Sequence, residues 1–135
     1  MKKEMEVALF DLLNFFALEA NKKIGILKQI SVDQKITLEE CASKLTEQLK
    51  DYCTYRIFDT QSPDEKVIVQ HLEELHALAN LMLESGNQSR WSVDAVAEIG
   101  AWSLLTRLAS EAGKALGGGN VPVVEISRLR FYVER

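Results

Sequence analysis

The chain has 135 residues, 47% of them hydrophobic, and a formal charge of −4 at pH 7. That length makes about one domain, able to bury roughly two thirds of its extended surface without a metal or a disulfide. The acidic balance, with a pI near 5.2, argues against a general binder of nucleic acid or anionic membrane, because neutralising phosphates needs a concentrated basic surface.

A first helix is expected over residues 2–22, where Met5, Leu9, Leu12, Leu13, Phe16 and Ala20 form one apolar stripe. Val7, Phe15 and Leu18 make a second apolar group on the side that carries Glu4 and Asp11. A helix apolar on two faces is either central in a bundle or partly in an interface. Met1-Lys2-Lys3 before this run invites a signal-peptide reading, but Glu4, Glu6 and Asp11 interrupt the apolar core that export requires. No run approaches the roughly 18 apolar residues of a membrane span. The expected location is cytoplasmic, with no membrane contact.

Over residues 24–32, Ile24, Ile26, Ile30 and Val32 alternate as in a strand, and Gly25 weakens the helical alternative. A short strand or extended segment is therefore expected there. The next helix has a clear start, because Thr37-Leu38-Glu39-Glu40 is a capping box: a hydroxyl and a carboxylate three residues apart satisfy free backbone N–H groups. Leu38, Cys41, Ala42, Leu45, Leu49, Tyr52 and Cys53 follow at helical spacing. Cys41 and Cys53 lie about 18 Å apart along such a helix, too far for a disulfide, so two buried reduced thiols are expected. The stretch from Lys35 to Leu45 resembles the opening helix of a helix-turn-helix, but the tight turn that should follow Leu45 is missing.

Ser62-Pro63-Asp64-Glu65 is a second capping box, with Pro at the first helical position. It introduces a third helix with Ile68, Leu72, Leu75, Ala79 and Met82 on one face, ending at Ser85-Gly86-Asn87. This helix carries the one local cluster of ligand-type residues, His71 to His76. Glu73 and His76 have the E-x-x-H spacing of diiron carboxylate bundles, but two histidines cannot supply the second such pair. The helical wheel places Glu73 on the polar face, and reads His71 as a core histidine bonded to a neighbour. Glu47 with Asp51 and Asp94 with Glu98 lack the spacing that gathers magnesium and read as solvated faces.

A fourth helix is expected from Ser92 to Leu116, with Ala95, Ile99, Trp102, Leu105, Ala109, Ala112 and Leu116 in line. Gly117-Gly118-Gly119-Asn120 terminates it and is not a phosphate loop, since it follows a helix and lacks the Lys-Ser/Thr pair. Residues 121–135, with Val121, Val123, Val124 and Ile126 and then Phe131, Tyr132 and Val133, are expected as an extended tail. That tail would pair with residues 24–32 or with another chain.

The expected fold is one all-α domain over residues 1–135, a bundle of about four helices with room for a two-stranded β element from residues 24–32 and the tail. Its core should hold Leu12, Phe16, Leu45, Leu49, Leu72, Leu75, Ile99, Trp102 and Leu105. The expected function is non-enzymatic protein–protein interaction, as a homodimer, adaptor, inhibitor or immunity-type partner, with no cofactor. Val7, Phe15 and Leu18 are the expected interface, with Phe131 and Tyr132 as a second candidate patch. Two alternatives remain at this level: a metal-dependent enzyme using the carboxylates and histidines of the third helix, and a helix-turn-helix DNA-binding regulator.

Overall fold

The computed structural model describes residues 2–59, 65–84, 88–97, 100–117 and 124–134. They form seven α-helices: α1 (Lys2–Phe16), α2 (Ala20–Gln34), α3 (Leu38–Asp59), α4 (Lys66–Glu84), α5 (Val93–Ala97), α6 (Ala101–Ala115) and α7 (Ile126–Glu134). A 3-10 turn, Gln88–Trp91, precedes α5. Among the described residues there is no strand. No described helix is long and apolar enough to cross a membrane.

The all-α class agrees with the apolar spacing, but seven described helices stand where about four were expected, and four segments differ from expectation. The first helix does not run to residue 22. It ends at Phe16, and after a break at residues 17–19 the chain resumes as α2. There the Leu18 N–H bonds the Phe15 carbonyl, and Glu19 adopts an extended φ/ψ of −64°/157° as the N-cap of α2. Residues 24–32 are helical, because Ile24, Leu27 and Ile30, at i, i+3 and i+6, are the side chains that reach the core. Val32, needed for the alternating reading, is exposed. Of the tail, residues 126–134 are also helical, with Leu129, Tyr132 and Val133 burying one face of α7, while Val121, Pro122 and Val123 lie outside the described residues. In residues 126–134 only Ile126 and Val133 are β-branched, against several good helix formers.

The fourth expected helix is divided into α5 and α6, with Gly100 at the N-cap of α6 and its carbonyl bonded by the Leu104 N–H at 3.0 Å. Ile99 lies outside the described residues, as do Ser62, Pro63 and Asp64 of the second capping box and Ser85-Gly86-Asn87. The first capping box is formed at its threonine, since Thr37 Oγ1 accepts from the Glu40 N–H at 3.0 Å. Gly117, at φ 93°, closes the end of α6 by bonding the Lys114 carbonyl.

One apolar cluster joins residues from all seven helices and contains every described member of the expected core. Helix α1 packs against α3, α6 and α7, and this centrality explains its two apolar faces. Helices α3 and α4 are antiparallel: Lys50, in the middle of α3, bonds Asn80 toward the end of α4, whereas Arg56, further along α3, bonds Glu65 just before the start of α4. Arg56 is buried, with Nη2 2.8 Å from Glu65 and Nε 3.6 Å from Glu6, so it ties α3 to the start of α4 and to α1.

A second buried cation sits at the break between α1 and α2. Lys23, 1% exposed, donates to the carbonyl of Phe16 at 3.2 Å and to Thr106 Oγ1 on α6. Its ammonium also lies 5.4 Å from the centre of the Trp102 ring. The Phe16 carbonyl is one of the groups that a helix end leaves without an internal partner, and a cation there also meets the negative end of the helix dipole. Burial pulls the Lys23 pKa down from 10.5 to about 8.

The helical assignment of α2 and the burial of Lys23 can each be tested. Gly25 lies on the exposed side of α2, where an added methyl group would meet nothing within 4 Å, so Gly25→Ala should stabilise the protein by about 0.5–1 kcal/mol in denaturant unfolding. A loss of stability would contradict a helical residue 25. Below pH 8 the folded state carries the full cost of burying the Lys23 ammonium. Between pH 8 and 10.5 the unfolded chain holds more protons, so this cost is relieved as pH rises. The stability of the wild type relative to Lys23→Met should therefore grow by roughly 2–3 kcal/mol from pH 7 to pH 10, and a pH-independent difference would show that the lysine is solvated.

Candidate interaction groove

Helices α1, α3 and α7 border a groove of about 1440 Å³. Along α3 its wall is built from Gln48, Asp51, Tyr52, Tyr55, Phe58 and Asp59, at offsets of 0, 3, 4, 7, 10 and 11. This is a helical stripe beside the one that faces the core, and Tyr52 belongs to both. Helix α1 contributes Glu4, Val7 and Ala8, and α7 contributes Arg128, Phe131 and Tyr132.

The floor is aromatic and continuous. Tyr55 meets Tyr52 edge-on at 5.9 Å, Tyr52 meets Tyr132 at 6.1 Å, and Tyr132 meets Phe131 at 5.9 Å, so four rings run from α3 to α7. Tyr52 and Tyr132 are buried, while Val7 is 39%, Tyr55 53%, Phe58 82% and Phe131 54% exposed. All three exposed aromatic side chains of the described residues thus lie in this one groove.

Below the floor, Tyr132 donates its hydroxyl to Asp11 Oδ2 at 2.8 Å, and Arg128 Nε lies 3.3 Å from the same oxygen and 3.3 Å from Glu125. Burial raises the Asp11 pKa, and the Tyr132 hydrogen bond and Arg128 partly oppose that rise. Burial and the adjacent Asp11 in turn raise the Tyr132 pKa. Arg130, paired with Asp33 at 2.5 Å, ties the other side of α7 to α2.

The expected interface residues separate in space. Val7, Phe131 and Tyr132 come together in the groove, Tyr132 as part of its floor. Phe15 does not belong with them. It is 0% exposed and packs edge-on against Phe16 at 5.0 Å, so it is a core residue. Leu18 is half-buried against the core at the α1–α2 break and does not line the groove. Sequence reasoning passed over Tyr55 and Phe58, although their placement at i+3 and i+6 from Tyr52 marked a second apolar face on α3.

Elsewhere the arrangements suited to chemistry are sparse. Among the described residues no group of three or more His, Cys, Asp or Glu converges to hold a metal ion. Glu73 is exposed and His76 half-buried, and His71 Nδ1 lies 4.0 Å from Glu111 on α6. Both cysteines are unpaired and buried, and burial pushes both thiols up to about 12, which makes them poor nucleophiles. Helix α3 runs unbroken past Leu45, so no turn follows it. The short turn between α2 and α3 leads into Glu39 and Glu40, which would face a phosphate backbone with like charge. A smaller cavity of about 230 Å³ has Glu6, Arg56 and Glu65 in its lining, where the one guanidinium is shared by the two carboxylates.

No protein-family model, curated protein or solved structure gives a significant match to this chain. The groove is the principal feature from which a function can be read.

Asp11 holds α7 in place on the groove floor. Asp11→Ala should cost about 1–3 kcal/mol, because it removes the acceptor of a buried hydroxyl, and Asp11→Asn, which keeps an acceptor, should cost less. Amide exchange in α7 should quicken in the alanine variant; unchanged protection there would show that α7 is held by its packing and the Arg130–Asp33 pair without Asp11.

Proposed function

We propose that this chain is a protein-interaction module that docks a partner in the groove of α1, α3 and α7, acting as an adaptor, inhibitor or immunity-type protein and not as a catalyst. One observation carries the reading: Tyr55, Phe58 and Phe131 are exposed together on a single groove. Exposing aromatic rings to water is unfavourable, and contiguous apolar patches on a folded chain mark binding surfaces. Tyr and Phe are also enriched where proteins meet, since they supply large rigid contact area at low entropic cost. A cytoplasmic setting belongs to this proposal and is supported by the two unpaired cysteines, which suit a reducing compartment. Among the described residues, no particular arrangement favours the metal-enzyme or DNA-binding readings.

The test is site-specific photo-crosslinking in the native cell, with a photoreactive phenylalanine analogue in place of Phe58 and, as control, in place of Val67, which is exposed on α4 outside the groove. A discrete adduct of defined mass should form from position 58 and not from position 67. Equal adducts from both positions, or none from position 58, would count against the groove as the working surface.

A further inference from the structure

We propose that the occupant of this groove is a short amphipathic helix of a different protein, with an apolar stripe flanked by lysine or arginine, and not a second copy of this chain. The inference rests on the groove being the docking surface. Its size comes first. At about 1440 Å³ it exceeds the roughly 300–1,000 Å³ of small-molecule sites. Its long wall runs from Gln48 to Asp59 on α3, and a rise of about 1.5 Å per residue makes that roughly 16 Å, or three helical turns. Such a trough matches a helix presenting anchors at i, i+3, i+4 and i+7.

Charge then selects the partner. Glu4 stands on the α1 side, and Asp51 stands on the α3 wall. Arg128 is the one basic side chain among the described lining residues, and it is already ion-paired with Asp11 and Glu125. The rim is therefore acidic around an aromatic floor. A two-fold dimer through this groove would set the acidic rim of one protomer against that of the other, where like charges across an interface repel. A helix with basic flanks would instead meet opposite charge on both sides, and its apolar stripe would cover Tyr55, Phe58 and Phe131.

The experiment uses two labelled helical peptides about 18 residues long, five turns, with the same leucine stripe and with either lysine or glutamate at the polar positions. Binding to the full chain is followed by fluorescence anisotropy. The lysine peptide should bind saturably and at least about tenfold more tightly than the glutamate peptide, a difference of about 1.4 kcal/mol. Phe58→Ala, at an exposed position that leaves the fold intact, should weaken it about fivefold or more. The double variant Glu4→Lys, Asp51→Lys should reverse the preference between the peptides. Equal binding of both peptides, with both weakened by Phe58→Ala, would overturn the charge inference and leave the groove as a docking surface. Failure of both to bind, or indifference to Phe58→Ala, would overturn the groove reading as well. A wild-type dimer in light scattering that Phe58→Ala dissolves would make a second copy the occupant and overturn the inference.

Discussion

The buried ammonium of Lys23 holds the joint on which the arrangement of helices turns. The chain leaves α1 at Phe16 and re-enters a helix at Ala20 without any glycine or proline to force a break. Ending a helix inside a core leaves carbonyl groups without partners, and each would carry a desolvation cost of about 1–3 kcal/mol. Lys23 meets the Phe16 carbonyl, and its bond to Thr106 carries the same cation across to α6. Three helices thus converge on one charge, whose burial is tolerated because two acceptors and an aromatic face are supplied to it. With the break held there, Ile24, Leu27 and Ile30 of α2 turn toward the core, and α1 stays central.

Other polar ties follow the same logic at the edges of the core. Arg56 joins α3 to Glu65 ahead of α4 and to Glu6 on α1, while Asp11, Tyr132 and Arg128 join α1 to α7. Helix α7 has nine residues, fewer than the roughly 12–15 at which an isolated helix becomes marginally stable. Its helicity comes from docking: Leu129 and Val133 are buried, and Arg130 reaches Asp33 on α2. The apolar contacts supply the drive to fold, and the ion pairs and hydrogen bonds fix which face of each short helix is turned inward.

That placement of α7 also creates the groove. Phe131 and Tyr132 are brought beside Tyr52 and Tyr55, so rings from distant parts of the chain form one edge-to-face row. The polar contact beneath Tyr132 holds the buried part of the floor, while Phe131 at its end and Phe58 beside it remain open to solvent. Aromatic anchors exposed over a floor whose buried rings are already packed need little reordering on binding, which adds to the exposure of those rings as a basis for proposing a docking surface.

The local signals and the tertiary ones divide along helix length and position. Helices α3 and α4 were legible in the sequence, because apolar spacing sustained over several turns and a threonine cap at residue 37 all agreed. The core membership of Leu12, Phe16, Leu45, Leu49, Leu72, Leu75, Trp102 and Leu105 was legible for the same reason. The second apolar face of α1 was visible too, but periodicity does not tell a central helix from an interface, and packing put Phe15 inside. Residues 24–32 and 126–134 read as extended from short β-branched runs, whereas burial of every third or fourth side chain against the rest of the core made them helical. Of the groove, the sequence carried its ingredients, Val7, Phe131, Tyr132 and the unused stripe of Tyr55 and Phe58. Their meeting was decided only by tertiary contact between α1, α3 and α7, because no local rule relates residues 7, 58 and 131 until the core folds between them.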